Sequence, residues 1–349
     1  MRITGTHLGI LVIALYFGAQ ACYANDIYIS QIGDNLDLDI VQDGENNQIE
    51  GLSGSGDAQL SGDDKTVTFN QTGDTNQTRV WTSGGNQQMS LTQNGNSNIS
   101  AMDNHGDNNN MSVDIDGDGN VTHTEIGNGY DNDNNMSVTI DGDNNAVYSE
   151  VISGDSNNVD VQIHKQDDSY VYVRVNGNSN NVKAWQGKHE DGTVDVDETG
   201  DHEAYWTVTG NNNILDSYQT DTNRGGGGGA GHHIANVVNG DNNDVTHTQM
   251  GKAGHDGFVE IQGDDNTVDL YQRGNGGVKW ADIVLDGDGH SVDSDQRGTG
   301  SANLALDLTN SGGAYSVTTN QNTSTTHRSY SLTGTCTNAN GCGITITQN

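Results

Sequence analysis

Residues 73–117 decide the fold, because they fall into four consecutive lines of eleven residues. The lines are GDTNQTRVWTS (73–83), GGNQQMSLTQN (84–94), GNSNISAMDNH (95–105) and GDNNNMSVDID (106–116), and Gly117 opens the next one. They follow the template G-x-x-N-x-φ-x-φ-x-Q, in which φ is usually apolar. A fixed period of this kind is typical of repeat architectures and has to be interpreted before any single element.

The spacing within one line predicts a strand and a turn. Alternate positions after the glycine place their side chains on one face of a strand. The glycine and asparagine that open each line tolerate the left-handed backbone of a tight reversal. Two lines therefore form a strand-turn-strand rung of about 22 residues. We predict an all-β, two-sheet, cross-β solenoid in which equivalent side chains of successive rungs stack, with Asn and Gln bonding along the stack.

The phrase resembles the curlin repeat of bacterial curli, the secreted functional amyloid of biofilms, whose consensus is S-x5-Q-x-G-x-x-N-x-A-x-V-x-Q. The matching phrases are Gln71-x-Gly73-x-x-Asn76-x-Thr78-x-Val80, Gln93-x-Gly95-x-x-Asn98 and Gly263-x-x-Asn266-x-Val268-x-Leu270-x-Gln272-x-Gly274. Elsewhere Asp or Thr often replaces Gln, and some spacings are 10, 12 or 13. The resemblance implies a structural subunit, or a minor component, of an extracellular curli-like fibre.

The same resemblance implies the partners and the location. A curlin-type chain self-associates, or joins other curlin-type subunits, through its end rungs, and it leaves the cell through outer-membrane secretion machinery. The resemblance also implies a cell-surface fibre that serves cell adhesion and the biofilm matrix. No catalytic role and no cofactor follow from it.

The repeat also assigns the positions that stack. The predicted structural ladder consists of Gln71, Gly73, Asn76, Val80, Gln87, Met89, Leu91, Gln93, Gly95, Asn98, Gly106, Asn109, Met111, Val113, Gly117, Gly263, Asn266, Val268, Leu270 and Gln272. Apolar and amide members of this set are expected to point inward. The intervening Arg79, Ser90 and Asp114 are expected to point outward, and a register error of one residue would reverse every facing.

Composition limits the classes of function. Only 31% of the residues are hydrophobic and the formal net charge is −35, values that also fit a disordered acidic chain. The period of two inside a period of eleven favours order instead. Proline, which cannot donate to a strand ladder, is absent. The acidic charge argues against nucleic acid, which needs a basic footprint, and favours cations or cationic partners.

The chain divides by composition into four parts. Residues 1–24 have an apolar run of ten and are predicted to be a secretory signal peptide; acylation of Cys22 is the alternative. Residues 25–223 carry curlin-like solenoid repeats, broken by a loop at 50–65. Residues 224–233 form a glycine-rich loop, and residues 234–349 carry further repeats. No segment is predicted to span a membrane.

Three local patterns suggest further chemistry. Cys336 and Cys342 are predicted to form a disulfide, since an exported chain is oxidised. The spacing of Asp114, Asp116 and Asp118, with Glu125 at the twelfth position, matches the start of a calcium loop, although the repeat alone explains it as a turn. His232 and His233 are candidate metal ligands, and a solvated loop is the competing interpretation.

Two other functions compete with the fibre subunit. The first is a monomeric acidic solenoid that acts as a surface adhesin, with or without a dependence on cations. The second is an enzyme of the polysaccharide-cleaving β-helix class, which has rungs of similar length and a richer apolar interior. No nucleophile–base pair or phosphate loop stands out from the sequence, so we expect a non-enzyme.

Overall fold

The computed structural model describes residues 11–15, 25–27, 29, 33–51, 58–82, 84–127, 132–164, 167–187, 202–220, 232–251, 255–274, 280–298, 301–307, 313–323, 329, 331 and 341–348. These residues form strands, turns and extended segments and contain no helix, so the described chain is all-β. The strands belong to two parallel sheets. The chain separates into two compact units, Met1–Val161 and Gln162–Asn349.

In the first unit the chain alternates strictly between two sheets. The odd-numbered sheet has the order β1-β3-β5-β7-β9-β11, and the even-numbered sheet has the order β2-β4-β6-β8-β10-β12. The strands are β1 (Leu11–Leu15), β2 (Asp26–Ile27), β3 (Leu36–Asp43), β4 (Gln48–Gly51), β5 (Lys65–Thr72), β6 (Gln77–Thr82), β7 (Gln88–Asn94), β8 (Ile99–Asn104), β9 (Asn110–Asp116), β10 (Val121–Ile126), β11 (Asn135–Asp141), β12 (Ala146–Ser153) and β13 (Asn158–His164), which contains the division.

In the second unit one sheet is longer than the other. The long sheet has the order β15-β17-β19-β20-β21-β22-β23, and the short sheet has the order β18-β16-β14. The strands are β14 (Tyr170–Asn176), β15 (Asn181–Gln186), β16 (His202–Thr209), β17 (Ile214–Thr220), β18 (His232–Asn239), β19 (Asp244–Met250), β20 (Thr267–Arg273), β21 (Ser291–Gly298), β22 (Tyr315–Thr323) and β23 (Cys342–Gln348).

Extended segments replace short-sheet strands after β18. In these segments the side chains alternate between buried and more exposed, but few backbone hydrogen bonds join them to neighbouring strands. They comprise residues 255–262, 280–286 and 301–307. The amide of Val237 donates to the carbonyl of Val259 at 2.9 Å, and the amide of Ile261 donates back to Val237 at 3.0 Å. These segments close the apolar interior of the second unit opposite the long sheet.

The register of the parallel pairs reports the length of chain between equivalent positions. It is 22 residues from β5 through β10, as in the pairs Thr66 with Gln88 and Gln77 with Ile99. It is 29 where β3 meets β5, 25 where β10 meets β12, and 33 where β15 meets β17, as the side-chain bonds along these steps show. A rung of about 22 residues is therefore not confirmed for the whole chain.

The core lies between the two sheets of each unit. Strands β7 and β9 alternate strictly, with Met89, Leu91, Met111 and Val113 at most 3% exposed. Arg79 and Ser90 are half-buried and Asp114 is exposed, so the facing predicted for these residues is confirmed. Strand β8 does not alternate, since Ala101 and Asp103 are buried as well. Strands β7 and β9 bury one face because their apolar residues recur at period two.

The segment at residues 50–65 agrees with the predicted loop only in part. Glu50 and Gly51 belong to β4, Ala58 and Leu60 are buried at 1%, and Lys65 begins β5. The prediction was wrong for Glu50, Gly51 and Lys65, which belong to strands. Residues 58–64 hold no strand, and residues 52–57 lie outside the described residues.

The predicted signal peptide, residues 1–24, contains one described strand. Residues of β1 pair in parallel with β3, from Leu11 with Leu38 to Leu15 with Gln42. Among the described residues no helix has the length and apolar character to cross a membrane.

Candidate functional site: the stacked turns and amide columns

The turns repeat one backbone conformation. Their third residue adopts a left-handed φ, for example 59° at Asn46, 64° at Thr75 and 60° at Ser97. Their first residue is a glycine that contacts the glycine of the next turn. A Cβ built on Gly95, whose φ is +119°, would lie 2.1 Å from the carbonyl oxygen of Gly117. Only glycine tolerates both this φ and this approach, so each turn seats directly on its neighbour.

A buried asparagine closes each of these turns and bonds to the next one. Asn76 accepts a bond from the backbone amide of Asn98 at 3.0 Å and donates to the carbonyl of Gly95 at 2.7 Å. Asn98 makes the same two bonds to Asn120 (2.9 Å) and Gly117 (2.7 Å). The side chain is buried in both cases. Each asparagine therefore satisfies one donor and one acceptor of the following turn, which water cannot reach.

The asparagine column occurs at both turn edges of the first unit. One column contains Asn47, Asn76, Asn98, Asn120 and Asn145, and the other contains Asn109, Asn134 and Asn157. In the second unit it occurs in the turns that lead into the long sheet, through Asn180, Asn213, Asn243 and Asn266. His290 continues that column, and its Nδ1 accepts the backbone amide of Tyr315 at 2.9 Å. Burial lowers the pKa of His290, which suits this acceptor role.

A glutamine column runs inside the sheets of the second unit. The Nε2 of Gln219 donates to the Oε1 of Gln249 at 3.2 Å, and that residue donates to Gln272 at 2.9 Å. The full column contains Gln186, Gln219, Gln249, Gln272, Gln296 and Gln321. All six side chains are buried.

The second hydrogen of the glutamine amide crosses to the opposite side of the core. Gln219 donates to the carbonyl of Glu203 at 2.9 Å, and Gln249 donates to the carbonyl of His233 at 2.7 Å. Gln296 donates in the same way to the carbonyl of Trp280 at 2.9 Å. The column therefore joins successive strands and also ties the long sheet to the segments that face it.

In the first unit the glutamine column is short. It contains Gln42, Gln71 and Gln93, and the next register position is Ile115. Gln71 also donates to Thr78 Oγ1 at 2.9 Å, across the core. The Nε2 of Gln93, the last member, is buried without a partner among the described residues.

A third column lies outside, at the second residue of the turns. The backbone amide of Asp74 donates to Asn96 Oδ1 at 2.8 Å, and the amide of Asn96 donates to Asp118 Oδ1 at 2.6 Å. In the second unit Asp241 and Asp264 repeat the pattern at 2.7 Å. Asp118 and Asp143, like Asp241 and Asp264, therefore stack one rung apart, a spacing at which like charges repel.

The calcium candidates belong to two different places. Asp114 and Asp116 are exposed on β9, and Asp118 accepts the turn bond from Asn96. Glu125 lies on β10 in the other sheet, in register with Asp103 and Glu150. The described residues include no group of three His, Cys, Asp or Glu side chains placed to hold a metal ion.

The interpretation of His232 and His233 as a solvated loop was wrong. Both begin β18, and His232 is only 1% exposed, with its ring 4.8 Å from that of His255 in an edge-to-face contact. His233 is half-buried and lies 3.1 Å from Asp256. Residues 224–231 of the predicted glycine-rich loop lie outside the described residues.

The structure adds two buried ionisable groups that the repeat did not point to. Lys65 occupies the position equivalent to Gln87, with its Nζ 3.2 Å from the Oε1 of that residue, and burial lowers its pKa to about 8. His247 is fully buried, which lowers its pKa to about 4. Its ring packs where a Cβ on Gly257 would lie 2.0 Å away. A departure from Asn or Gln at a ladder position is the sequence signal that could have found Lys65.

Every predicted ladder residue lies at a stacked position. The apolar and amide members are buried, and the glycines open the turns. Gln87 belongs with the asparagine column, since it donates to the carbonyl of Gly106 at 2.9 Å. Cys342 is disulfide-bonded, and Cys336 lies outside the described residues.

With this geometry established, the chain belongs to the β-solenoid-like class of all-β repeat proteins. No protein-family model matches the sequence, and no curated protein is significantly similar to it.

Proposed function

We propose that this chain is a structural subunit, or a minor component, of an extracellular curli-like amyloid fibre that serves adhesion and the biofilm matrix. The observation that carries the proposal is the in-register stacking of identical amides, above all the glutamine column of the second unit. Such parallel ladders make each strand a template for the next. The proposal extends to rungs built on the 22-residue spacing of β5–β10 and to export through residues 1–24.

An edge of the long sheet supports assembly. β23 is the last strand of that sheet among the described residues, and its register places Gln348 next to Gln321. An edge strand presents unpaired backbone groups to which a strand of another molecule can add. In the first unit, removal of residues 1–24 would leave β3 at the corresponding edge. Self-association, or joining another curlin-type subunit, would extend the columns without new geometry.

The acidic surface predicts how assembly depends on conditions. With a net charge of −35 and stacked turn carboxylates, molecules that meet end to end repel over about 8–10 Å at ordinary salt. We expect fibre growth to be slow at pH 8 in low salt and faster near pH 4.5 or with millimolar divalent cations. Seeded and unseeded growth of the mature chain, followed by dye binding and electron microscopy, tests this. Faster growth at pH 8 in low salt would contradict the electrostatic brake.

The second candidate is a monomeric acidic surface adhesin on the same scaffold. The outer column of turn carboxylates favours it, because those groups offer repeated weak sites to cations. A chain that stays monomeric in every condition of the growth experiment, with or without seeds, would favour the adhesin over the fibre subunit.

A further inference from the structure

A shallow groove follows the turn side of the even-numbered sheet in the first unit. It has a volume of about 420 Å³ and is lined by Asn46, Gln48, Thr75, Gln77, Ser97 and Ile99. Three of these residues hold the left-handed position of successive turns, and the other three hold one register position on β4, β6 and β8. We name this feature the turn-side groove.

The chemistry of the lining is neutral and polar. It offers three amides and two hydroxyls, with one isoleucine and no charged side chain. Hydroxyl groups donate and accept, and amides present both a carbonyl and an NH₂. The volume lies within the range of small-molecule sites. Because the lining repeats once per rung, at roughly 4.8 Å, a ligand with its own linear repeat fits it better than a compact one.

Gln77 is held in place at the centre of the groove. Its Oε1 accepts a bond from Arg79 Nη2 at 3.0 Å, and its Nε2 donates to Glu50. Arg79 and Glu50 also form an ion pair at 3.4 Å, so their charges compensate each other beside the groove. The amide carbonyl retains a second lone pair for a ligand hydroxyl. A fixed side chain loses little entropy on binding.

The backbone along the groove is already paired, which excludes an added peptide strand. The amides of Gln48 and Gln77 donate to the carbonyls of the following turns, at 2.8 Å in both cases. The amides of Thr75 and Ser97 donate to the preceding turns at 2.8 and 2.9 Å. Strand addition needs open backbone groups, so recognition at this groove has to use side chains.

We propose that the turn-side groove binds a strand of a neutral, hydroxyl-rich polysaccharide. Neutrality follows from the uncharged lining and from the net charge of −35, which repels anionic polymers. The sugar hydroxyls pair with the amides and hydroxyls of the lining, and a sugar face covers the side chain of Ile99. This binding does not depend on fibre formation.

The test measures binding of the full mature chain to cellohexaose, maltohexaose and chitohexaose by calorimetry, with polygalacturonate as the charged comparison. We expect at least one neutral hexasaccharide to bind. Gln77→Ala should weaken that binding about fivefold, the loss expected for one neutral hydrogen bond. The matched control is Gln88→Ala on β7, which removes an exposed amide at the equivalent strand position of the other sheet and should leave binding unchanged.

A second variant protects the test against misfolding. Ser97→Ala removes one hydroxyl from an exposed turn and should also weaken binding. The inference is overturned if no neutral hexasaccharide binds, if polygalacturonate binds more tightly, or if the Gln88 variant loses as much affinity as the Gln77 variant. Fibre growth is measured without sugar. Normal growth with no sugar binding rejects only the groove, and sugar binding by a chain that never assembles rejects only the proposed fibre.

Discussion

The two units use the same turn but place it differently. In the first unit, turns with the stacked asparagine occur at both edges, and successive rungs between β5 and β10 are 22 residues apart. Among the described residues of the second unit, these turns occur where the chain enters the long sheet, and the spacing varies from 23 to 33 residues. One fixed edge is therefore sufficient to keep parallel strands in register, while the other edge accepts connections of variable length.

The hydrogen bonding inside the core differs in the opposite direction, because it is more extensive in the second unit. The second unit has six glutamines in one hydrogen-bonded column, whereas the first unit replaces the column by Ile115 after three. Where the tight turns stack on both sides, apolar packing fills the interior position. Where one edge is irregular, the glutamines supply bonds along the stack and across the core. In the second unit, the hydrogen bonds of the buried glutamines therefore compensate for the absence of stacked turns at one edge. In the first unit, turns at both edges allow isoleucine at the same interior position.

The largest expected effect comes from a turn glycine of the first unit. Gly95→Ala places a Cβ 2.1 Å from the carbonyl of Gly117 and strains a φ of +119°. We expect a loss of about 4 kcal/mol in the stability of the first unit, in the range of severe backbone clashes. Hydrogen exchange of peptides from each unit measures it. Gly84→Ala, with nothing within 4 Å of the new Cβ, is the control and should cost less than 1 kcal/mol.

A buried histidine should make the second unit sensitive to acid. The pKa of His247 is lowered to about 4 by burial, below the ordinary value near 6.5. The neutral form is favoured in the folded state, so this stability is complete above pH 6.5 and is lost as pH falls toward 4. The loss is about 3 kcal/mol at most.

Exchange of both units between pH 7 and pH 4.5 checks this difference. The described histidines of the first unit, His105 and His123, are half-buried, so that unit is the internal reference. His247→Gln should reduce the response of the second unit without abolishing it, because burial also lowers the pKa of His290 there. An equal loss of protection in both units, or an unchanged slope in the variant, would contradict the assignment to His247.

Replacing glutamine by isoleucine should affect the two units differently. Gln249→Ile leaves the donor of Gln219 and the acceptor of Gln272 unpaired, and removes the bond to the carbonyl of His233. We expect a cost of about 2–3 kcal/mol in the second unit. Gln93→Ile sits next to Ile115 and removes the unpartnered Nε2, but it also removes the Oε1 that accepts from Gln71 and Thr78. We therefore expect a smaller cost than in the second unit, about 1 kcal/mol. Similar costs for the two variants, by the same exchange measurement, would reject the compensation argument.

The smallest expected effect concerns the left-handed turn position. Thr75 is β-branched and has a φ of 64°, whereas Asn144 holds the equivalent position three rungs later at 57°. Asparagine tolerates this region better than threonine. Thr75→Asn should therefore stabilise the first unit by about 0.5 kcal/mol, and Asn144→Thr should destabilise it by a similar amount. Urea denaturation of the pair checks the sign, which should be opposite for the two variants.

Sequence periodicity predicted the parts of this structure that depend on local spacing. The alternation of Val80, Met89 and Leu91 follows from period two, and the turns follow from Gly and Asn at fixed offsets. The turn that contains Asp118 lies where the repeat places it, and Asp118 accepts the turn bond from Asn96. Sequence periodicity could not predict which segments distant in sequence pack against each other. The burial of Ala58, Leu60 and His232 is a tertiary effect, in which each side chain completes a core surface that the repeat leaves open.

The register of 22 residues between β5 and β10 has a consequence for how the chain acquires its structure. Each rung contacts mainly its neighbours, so folding resembles the linear growth of a zipper in which a completed rung is the nucleus for the next. Only the insertion or deletion of a whole rung therefore keeps equivalent side chains aligned in their columns. Deleting residues 84–105 would join two sequences that are in phase, and the columns that pass through this rung of the first unit would shorten by one member. Deleting only 84–94 would bring a strand meant for one sheet to the other, and the amides of one column would meet the apolar side chains of another.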